Sequence, residues 1–313
     1  MIAFFGTPEF AAAHLTGLLD AGLRVDLVVT REDKVRGRGR ELSPSPVKML
    51  AARHGIETLT PRRARDAEFV DAMRARGADL FAVVAYGAIL PPALLEIPRH
   101  GAVNLHASLL PRWRGAAPVQ RAIEAGDTVT GVTTMFMNEG VDTGDIILAE
   151  QMAIDPNENA GELLARLAPV GSALLAKSAR LALDGCAPRR VQEDTLATLA
   201  PPLRKSEGRI DWHEPAARIA RVVRAMTPWP GARALFRGAI ATIAAAAAVP
   251  GAGDAGGVAA SSVDGLFVGT GDGLLRIDSI QVAGRRRLSG VEFARGARIV
   301  PGERFESIPE GAA

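Results

Sequence analysis

Three side chains that could take part in proton transfer lie in two short stretches of this sequence. Asn104 and His106 fall in the run A-V-N-L-H-A-S-L-L-P-R-W-R-G that begins at Ala102, and Asp142 lies in the Gly-bracketed run G-V-D-T-G-D. If the first run begins as a strand, alternation places the amide and the imidazole on one face. A carboxylate beside them would complete an acid/base site that needs neither a metal nor a covalent nucleophile.

Asn104 and His106 have an alternative reading, as a hydrogen-bonded polar pair at the end of a buried strand. The strand runs into Pro111, which cannot extend a ladder, so we expect the pair near the carboxyl end, where open α/β sheets bind ligands. Asp142 follows the apolar run 132–137. We therefore expect two strand ends to deliver the three side chains to one site.

The order of the predicted elements indicates an α/β domain. The opening reads as a strand, a helix with Thr7 as N-cap and Pro8 at its first position, and a second strand, which is a βαβ unit and predicts a parallel sheet. The chain lacks G-x-G-x-x-G here, so a nicotinamide cofactor is not expected. The patterns predict strands over 2–5, 23–30, 80–86, 101–107 and 129–137, and helices over 67–76, 118–125 and 161–182.

The sequence changes character after the last of these helices. Residues 190–204 carry Pro201, Pro202 and mixed polar residues, which is typical of a linker. After a short predicted helix over 215–226 come short strands separated by Gly-rich turns, and these predict a small barrel. We therefore expect a Rossmann-like parallel-sheet domain over 1–189, a linker, and a small OB-like β-barrel over 205–313.

Two stretches are strongly basic. Residues 31–48 contain six basic and three acidic residues, a charge of +3, and residues 285–304 contain six arginines and two glutamates, a charge of +4. Either stretch alone is read as a solvated surface, and the first as a mobile loop without regular structure for most of its length. Together they offer two positive surfaces that one polyanion could bridge.

Composition narrows the class of protein. The chain has 313 residues, of which 48% are hydrophobic and 23% charged, as in ordinary globular proteins, and nothing in it predicts a membrane span. Its single cysteine, Cys186, excludes an internal disulfide, and with no signal peptide we expect a cytoplasmic protein. His54, His100 and His213 show no metal-ligand spacing, so we expect no metal.

The runs around the three candidate residues resemble the 10-formyltetrahydrofolate-dependent formyltransferases. The resemblance is carried by N-L-H-A-S-L-L-P-R-W-R-G-A-A-P, by V-V-A-Y-G-A-I-L-P upstream and by G-V-D-T-G-D-I downstream, and it extends over nearly the whole chain. It implies an enzyme that transfers a formyl group from 10-formyltetrahydrofolate to an amine and releases tetrahydrofolate. Sister enzymes that act on other amines share the N-x-H, S-L-L-P and D-T-G core.

The chemistry of this transfer suits the three residues, and the resemblance implies the same roles. His106 would take the amine proton and give it to the departing nitrogen, because an imidazole ordinarily titrates near neutral pH. Asn104 would donate its N–H to the oxyanion of the tetrahedral intermediate, a contribution on the order of 3 kcal/mol for one such donor. Asp142 would orient the imidazole and favour its charged form.

The resemblance further implies contacts with folate and with RNA. The run after Ala107 would contact the folate, and the strand end at 86–90 and the loop before Asp142 would hold its pteridine ring largely through backbone groups, which suits a flat ring in an apolar slot. The acceptor implied is initiator methionyl-tRNA, held by arginines and a lysine of the two basic stretches; no sequence seam suggests assembly, and we expect a monomer. The implied folate residues are Tyr86, Gly87, Ile89, Leu90, Ser108, Leu109, Leu110 and Pro111, and the implied tRNA residues are Arg36, Arg38, Arg40, Lys48, Arg285, Arg286 and Arg287.

Two other functions compete with this reading. A formyltransferase for a small amine would share the catalytic core but would have no use for the R-G-R-G-R loop together with a basic barrel. A non-catalytic RNA-binding protein built on a degenerate formyltransferase domain would not need Asn104, His106 and Asp142 intact. An assay for folate-dependent turnover separates the second alternative from an enzyme.

Overall fold

The computed structural model describes residues 1–36, 41–309 and 311. The chain divides into two compact units. The first comprises Met1–Pro118, Val129–Ala153 and Leu164–Ala200, and the second Val119–Thr128, Ile154–Leu163 and Pro201–Ala313. Among the described helices, none is both long and apolar enough to cross a membrane.

The chain up to residue 200 alternates strands with helices, as the βαβ pattern predicts. Several predicted elements are confirmed at both ends, including the helices over 67–76 and 118–125. The elements are β1 (Ile2–Gly6), α1 (Glu9–Asp20), β2 (Val25–Val29), β3 (Lys34–Arg36), β4 (Glu41–Ser43), α2 (Pro46–Arg53), β5 (Glu57–Leu59), α3 (Ala67–Arg76), β6 (Leu80–Val84), α4 (Pro92–Leu95), β7 (Ala102–His106), β8 (Arg114–Gly115), α5 (Pro118–Ala125), β9 (Val129–Phe136), β10 (Ile146–Ala153), α6 (Ala160–Leu183) and β11 (Leu199–Ala200).

The main sheet of the first unit has the strand order β10-β9-β7-β6-β1-β2-β5. Strands β5, β2, β1, β6 and β7 are parallel, which confirms a Rossmann-like arrangement. Strand β9 runs antiparallel to β7, and β10 runs antiparallel to β9. The prediction of a parallel sheet is therefore wrong at this edge, because the periodicity of a strand does not encode its direction.

Alternation along the strands separates the two faces of this sheet. One face packs Phe5, Phe81 and Val83 with the side chains of α3 and α4 in a single apolar cluster. On the other face, Leu105 lies against Gly171 of α6, and Gly6 lies against Ala11 of α1. Since successive side chains point to opposite faces, Asn104 and His106 lie on the α3 and α4 face.

Two local predictions in the first unit are corrected. Helix α1 has Pro8 as its N-cap residue, and the Thr7 hydroxyl instead donates to the Tyr86 carbonyl at 3.0 Å. The basic stretch 31–48 contains regular structure at its flanks, because β3 and β4 are paired antiparallel strands and Pro46 begins α2. Short strands of this kind form through pairing, which no local pattern reveals.

The second unit contains a curled antiparallel sheet, as the short strands predict. Its strand order is β14-β15-β16-β13-β12-β18, with β17 paired to β16, and an antiparallel bridge between Gly257 and Arg304 joins the two ends of this order. Trp212, Phe236 and Phe305 lie in its apolar core. The elements are α7 (Ala216–Ala225), β12 (Ala232–Phe236), β13 (Ala239–Val249), β14 (Val258–Ser262), β15 (Gly265–Gly269), β16 (Leu274–Val282), β17 (Leu288–Ser289), α8 (Gly290–Ala297) and β18 (Phe305–Glu306).

Helix α8 is missing from the sequence prediction, although it begins with a recognisable signal. The Ser289 hydroxyl accepts from the Glu292 N–H at 3.1 Å, and the Glu292 carboxylate accepts from the Ser289 N–H at 2.9 Å. This is a capping box, an S-x-x-E pattern that marks a helix start.

His14 is the least expected residue of the first unit, because it is a buried imidazole on α1. Its Nδ1 lies 2.6 Å from the Phe10 carbonyl, so Nδ1–H donates, and within the described structure Nε2 has no hydrogen-bond partner. Burial lowers the pKa of His14 to about 4. The imidazole is therefore neutral in the folded chain at pH 7.

Because the buried His14 imidazole stays neutral, we expect the folded chain to lose stability in acid. Between pH 6.5 and pH 4, the His14 imidazole is protonated in the unfolded chain but not in the folded chain. The free energy of unfolding therefore falls as the pH decreases from 6.5, and this decrease levels off near pH 4. The loss attributable to His14 is about 3 kcal/mol. Urea unfolding at pH 7 and pH 4.5 should show a smaller acid loss in His14→Leu than in the wild type.

His54, which is exposed at the end of α2, provides the matched control. His54→Leu should keep the full acid loss of the wild type. If His14→Leu and His54→Leu lost equal stability between pH 7 and pH 4.5, the lowered pKa of His14 would not be the cause of the acid loss.

Candidate active site

Strand β7 places Asn104 and His106 in the interior of the sheet, between β6 and β9. Asn104 pairs with Val83 of β6 and Met135 of β9, and His106 pairs with Thr133 of β9. The side chains of both residues are largely buried, with 9% of Asn104 and 6% of His106 exposed. The predicted shared face is therefore present, and two core positions of the sheet carry hydrogen-bonding groups.

The His106 ring lies between two acceptors. Its Nε2 lies 2.8 Å from the Trp113 carbonyl, which can only accept, so Nε2–H donates. Its Nδ1 lies 3.4 Å from Asp142 Oδ2, and the same oxygen accepts the Gly115 N–H at 2.8 Å. The Asp142 side chain is 16% exposed, so a reacting group can approach the pair from solvent.

Asp142 reaches His106 through a loop that crosses the sheet face. Because β9 is antiparallel to β7, its carboxyl end lies beside Ala102 at the start of β7, where the Met137 N–H donates to the Ala102 carbonyl at 2.7 Å. The loop 137–145 then folds back over the sheet face toward His106. The carboxyl ends of β7 and β9 therefore lie at opposite edges of the sheet, and the loop supplies the carboxylate from across the face.

Three residues around this site have left-handed backbone conformations that non-glycine residues rarely adopt. They are Ala85 at φ 44°, Trp113 at φ 63° and Asp142 at φ 53°. Each such residue costs on the order of 1 kcal/mol or more and persists only where surrounding contacts hold it. The loops that carry the Trp113 carbonyl and the Asp142 carboxylate are therefore held in place by other contacts.

Those contacts come from the segment that the sequence predicted as a linker. Strand β11 pairs with β8, and Trp113 N donates to the Thr198 hydroxyl at 2.9 Å. The Ala200 carbonyl would lie 2.5 Å from a Cβ at position 115, which only glycine avoids there. Gln192 donates to the backbone of the Asp142 loop. Trp113, Gly115, Gln192 and Thr198 are site residues that sequence reasoning missed.

Of these four, only two had a local signal. Trp113 and Gly115 lie in the R-W-R-G run directly after the strand, where their backbone groups could have been suspected. Gln192 and Thr198 lie 50 and 85 residues from the backbone groups they bind, in a stretch without periodicity.

The Asn104 amide has a different environment. Within the described part of the chain, its side chain makes no hydrogen bond with another residue, whereas the Thr133 hydroxyl opposite His106 donates to the Ser108 carbonyl and accepts from the Leu110 N–H. A buried amide usually has a partner. The Asn104 N–H groups are thus free to donate to a bound molecule.

The predicted folate residues divide into two groups. Tyr86 and Leu90 lie in the apolar core, where Tyr86 makes an edge contact with Phe5 at 5.5 Å between ring centroids, and burial raises the pKa of the Tyr86 phenol. Gly87 is exposed and Ile89 is 77% exposed. The backbone around Gly87 and the side chain of Ile89 are therefore accessible to a ligand.

The second predicted folate segment follows β7 directly. The Ser108 hydroxyl donates to the Arg112 carbonyl at 2.6 Å, and Leu110 packs with Met135 and Ile146. Leu109 and Pro111 remain partly exposed. Since β6 and β7 are neighbouring parallel strands, both folate segments lie at the same edge of the sheet.

The predicted tRNA residues are only partly covered by the structure. Arg38 and Arg40 lie outside the described residues, and Arg36 is described only as the last residue of β3. Lys48 on α2 forms an ion pair with Asp33 at 2.7 Å. Arg285, Arg286 and Arg287 are exposed in the turn after β16.

Among the described residues, no group of three or more His, Cys, Asp or Glu side chains is arranged to hold a metal ion.

Comparison with known proteins extends these observations to the whole chain. A family model described as formyl transferase matches residues 1–178, and one described as formyl transferase, C-terminal domain, matches residues 202–298. The methionyl-tRNA formyltransferase of Geobacter metallireducens is 44% identical over 97% of this chain and 98% of its own length. That of Magnetococcus marinus is 46% identical over 97% of both chains.

The chain belongs to the methionyl-tRNA formyltransferase family. The family is one of transferases, and the predicted resemblance to formyltransferases is confirmed.

Solved structures of more distant proteins share the fold of this chain. The sugar 3N-formyltransferase WlaRD, crystallised with dTDP and 5-N-formyl-THF, superposes with a TM-score of 0.65 at 16% identity, covering 91% of this chain and 98% of its own. HypX from Aquifex aeolicus, solved with tetrahydrofolic acid, gives 0.61 at 17% identity, covering 94% of this chain and 46% of its own. These likenesses concern the fold alone.

The Asp142 loop leads to a prediction about Gly144. A Cβ at this position would overlap the Phe136 carbonyl, which belongs to the backbone of β9 and cannot move away cheaply. Gly144→Ala should therefore lower the free energy of unfolding by about 2 kcal/mol or more. Urea unfolding measures the change.

Gly296 on α8 serves as a control, because a Cβ there meets nothing within 4 Å. Gly296→Ala should be neutral or stabilise the chain by up to about 1 kcal/mol. Equal unfolding midpoints for Gly144→Ala and the wild type would show that position 144 does not lie tightly against the Phe136 carbonyl.

Proposed function

We propose that this chain transfers the formyl group of 10-formyltetrahydrofolate to the amino group of methionyl-initiator-tRNA. The products are tetrahydrofolate and N-formylmethionyl-tRNA for translation initiation. The observation that carries the proposal is the meeting of Asn104, His106 and Asp142 on one sheet face, in a chain closely similar to methionyl-tRNA formyltransferases.

The reaction needs three tasks, and three side chains are available for them. The neutral amine attacks the formyl carbon, the carbonyl oxygen becomes an oxyanion, and the bond from that carbon to the folate nitrogen then breaks. The unpaired Asn104 amide is suited to donate to the oxyanion. His106 removes the proton of the attacking amine and delivers one to the departing nitrogen.

Asp142 and the Trp113 carbonyl hold the imidazole in place for this exchange. Asp142 Oδ2 faces Nδ1 at 3.4 Å, and the Trp113 carbonyl accepts from Nε2 at 2.8 Å. A charged ring can donate to both acceptors at once, so the positive charge that forms during transfer is stabilised at this position. Hydrogen bonds of this kind often shorten only when substrate is bound.

The folate is proposed to bind at the carboxyl ends of β6 and β7. There the backbone around Gly87 is exposed, Ile89 offers an apolar surface, and Leu109 and Pro111 are partly accessible. Backbone donors and acceptors beside an apolar surface suit a flat heterocycle. Tyr86, Leu90, Ser108 and Leu110 would shape this site through packing and turn formation.

The charged tRNA is proposed to bind the two basic stretches. Arg38 and its neighbours Arg36 and Arg40 would contact the acceptor end, and Arg285, Arg286 and Arg287 the phosphate backbone. In this proposal residues 1–189 carry the chemistry, the segment 190–200 holds the loops of the site, and residues 205–313 supply affinity for RNA. We infer a monomer that acts in the cytoplasm, beside the translation machinery that uses its product.

An acceptor assay tests the proposal. The protein is incubated with 10-formyltetrahydrofolate labelled in the formyl group and with one acceptor at a time: methionyl-initiator-tRNA, a charged elongator tRNA, glycinamide ribonucleotide or an amino sugar nucleotide. We expect label on the methionyl-initiator-tRNA. Label on a small amine with none on tRNA would establish the competing formyltransferase function instead, and label on no acceptor would leave a binding protein.

The exposed arginines after β16 give a separate prediction about salt. Arg285→Ala/Arg286→Ala/Arg287→Ala should weaken tRNA binding and flatten its salt dependence, by about 0.9 in the log–log slope for each phosphate that the arginines no longer neutralise. Filter binding at several salt concentrations measures both quantities.

A control with the same charge change is Arg62→Ala/Arg63→Ala/Arg65→Ala, since these three arginines are exposed in the first unit. This variant should keep a slope close to that of the wild type. If the two triple variants changed the slope equally, only the net charge of the chain would matter and the turn after β16 would hold no tRNA.

A further inference from the structure

Gln192 lies in the predicted linker, yet its side chain is buried beneath the Asp142 loop. Its Nε2 donates to the Asp142 carbonyl and to the Gly144 carbonyl, both at 2.8 Å. These two carbonyls flank the segment that turns the Asp142 carboxylate toward His106. One amide group thus uses both of its N–H bonds on the loop.

Arg114 determines which way this amide points. Its guanidinium donates to Gln192 Oε1 from Nε at 3.1 Å and from Nη2 at 2.9 Å, and it forms an ion pair with Asp194 at 2.8 Å. Arg114 can only donate, so the oxygen of the Gln192 amide must face it and the nitrogen must face the loop. The Arg114 side chain is only 8% exposed, which holds the guanidinium in place.

The same segments fix the other partner of the imidazole. Thr198 accepts from Trp113 N at 2.9 Å, and its carbonyl accepts from Arg114 N at 2.9 Å. Trp113 in turn presents its carbonyl to His106 Nε2. Residues 192–198 therefore hold the backbone on both sides of the His106 ring.

We propose that Gln192 is a positioning residue for formyl transfer, which acts by holding the left-handed Asp142 backbone so that its carboxylate meets His106 and the Gly115 N–H. This inference rests on the function proposed above. Without the two amide donors, nothing from Gln192 stabilises the rare backbone conformation of Asp142 at φ 53°. The carboxylate then moves away from His106, although Asp142 itself is unchanged.

Gln192→Glu separates this role from simple packing. The carboxylate keeps the shape of the side chain and an acceptor for Arg114, but it loses both donors and faces two carbonyl oxygens. Gln192→Met keeps the approximate volume and loses donors and acceptor together, which covers the case in which the charged variant folds poorly. Gln151→Glu, on an exposed position of β10, makes the same chemical change elsewhere in the unit and is the control.

The first readout is kinetic. Both Gln192 variants should lower kcat by about ten- to a hundredfold, as small misplacements of reacting groups do, with the dissociation constant for folate unchanged. In an Asp142→Asn background, the Gln192 substitutions should have little further effect, because residues that act through one another are not additive. Full additivity, or kcat equal to that of Gln151→Glu, would overturn the proposal.

The second readout needs no turnover. The Gly115 N–H donates to Asp142 Oδ2, so its amide resonance in a ¹H–¹⁵N spectrum reports where the carboxylate lies. Both Gln192 variants should shift this resonance toward its position in Asp142→Asn, and Gln151→Glu should not. An unmoved resonance would overturn the positioning role, whereas an inactive wild type with a moved resonance would disprove only the proposed function.

Discussion

The Asp142 carboxylate is the point on which the candidate site depends. One of its oxygens accepts the Gly115 N–H at 2.8 Å and faces His106 Nδ1 at 3.4 Å, so it links the loop after β9 to the segment after β7. The loop must cross the sheet face to reach this position. Its backbone is held by close packing at Gly144 and by the Gln192 amide.

The mixed sheet explains why so much structure is needed around three side chains. In an all-parallel sheet, loops after neighbouring strands meet at one edge. Here β9 is antiparallel to β7, so β9 ends at the edge of the sheet where β7 begins. The loop after β9 must therefore cross the sheet face to bring the Asp142 carboxylate to His106. The segment 190–200, which pairs through β11 with β8, covers the returning loop. A stretch that reads as a linker is therefore part of the site's framework.

The sequence predicts a structural element well where the local pattern of its own side chains determines that element. Strand β7, the shared face of Asn104 and His106, and the helix over 67–76 follow from alternation and helical periodicity. Strand direction, two-residue strands such as β8 and β11, and the partners of Gln192 depend on contacts up to 85 residues away in the chain. Helix α8 did have a local signal, its capping box, which the sequence reading overlooked.

Formyl transfer in a single turnover tests the roles of the three side chains most directly. The enzyme, saturated with 10-formyltetrahydrofolate and in excess over methionyl-initiator-tRNA, is quenched at intervals for the wild type and for Asn104→Ala, His106→Ala and Asp142→Ala. Each variant should transfer formyl about a hundredfold or more slowly with folate binding kept, and the triple variant should be slowed by far less than the product of the three single effects. Transfer by His106→Ala at nearly the wild-type rate would contradict the proposed mechanism.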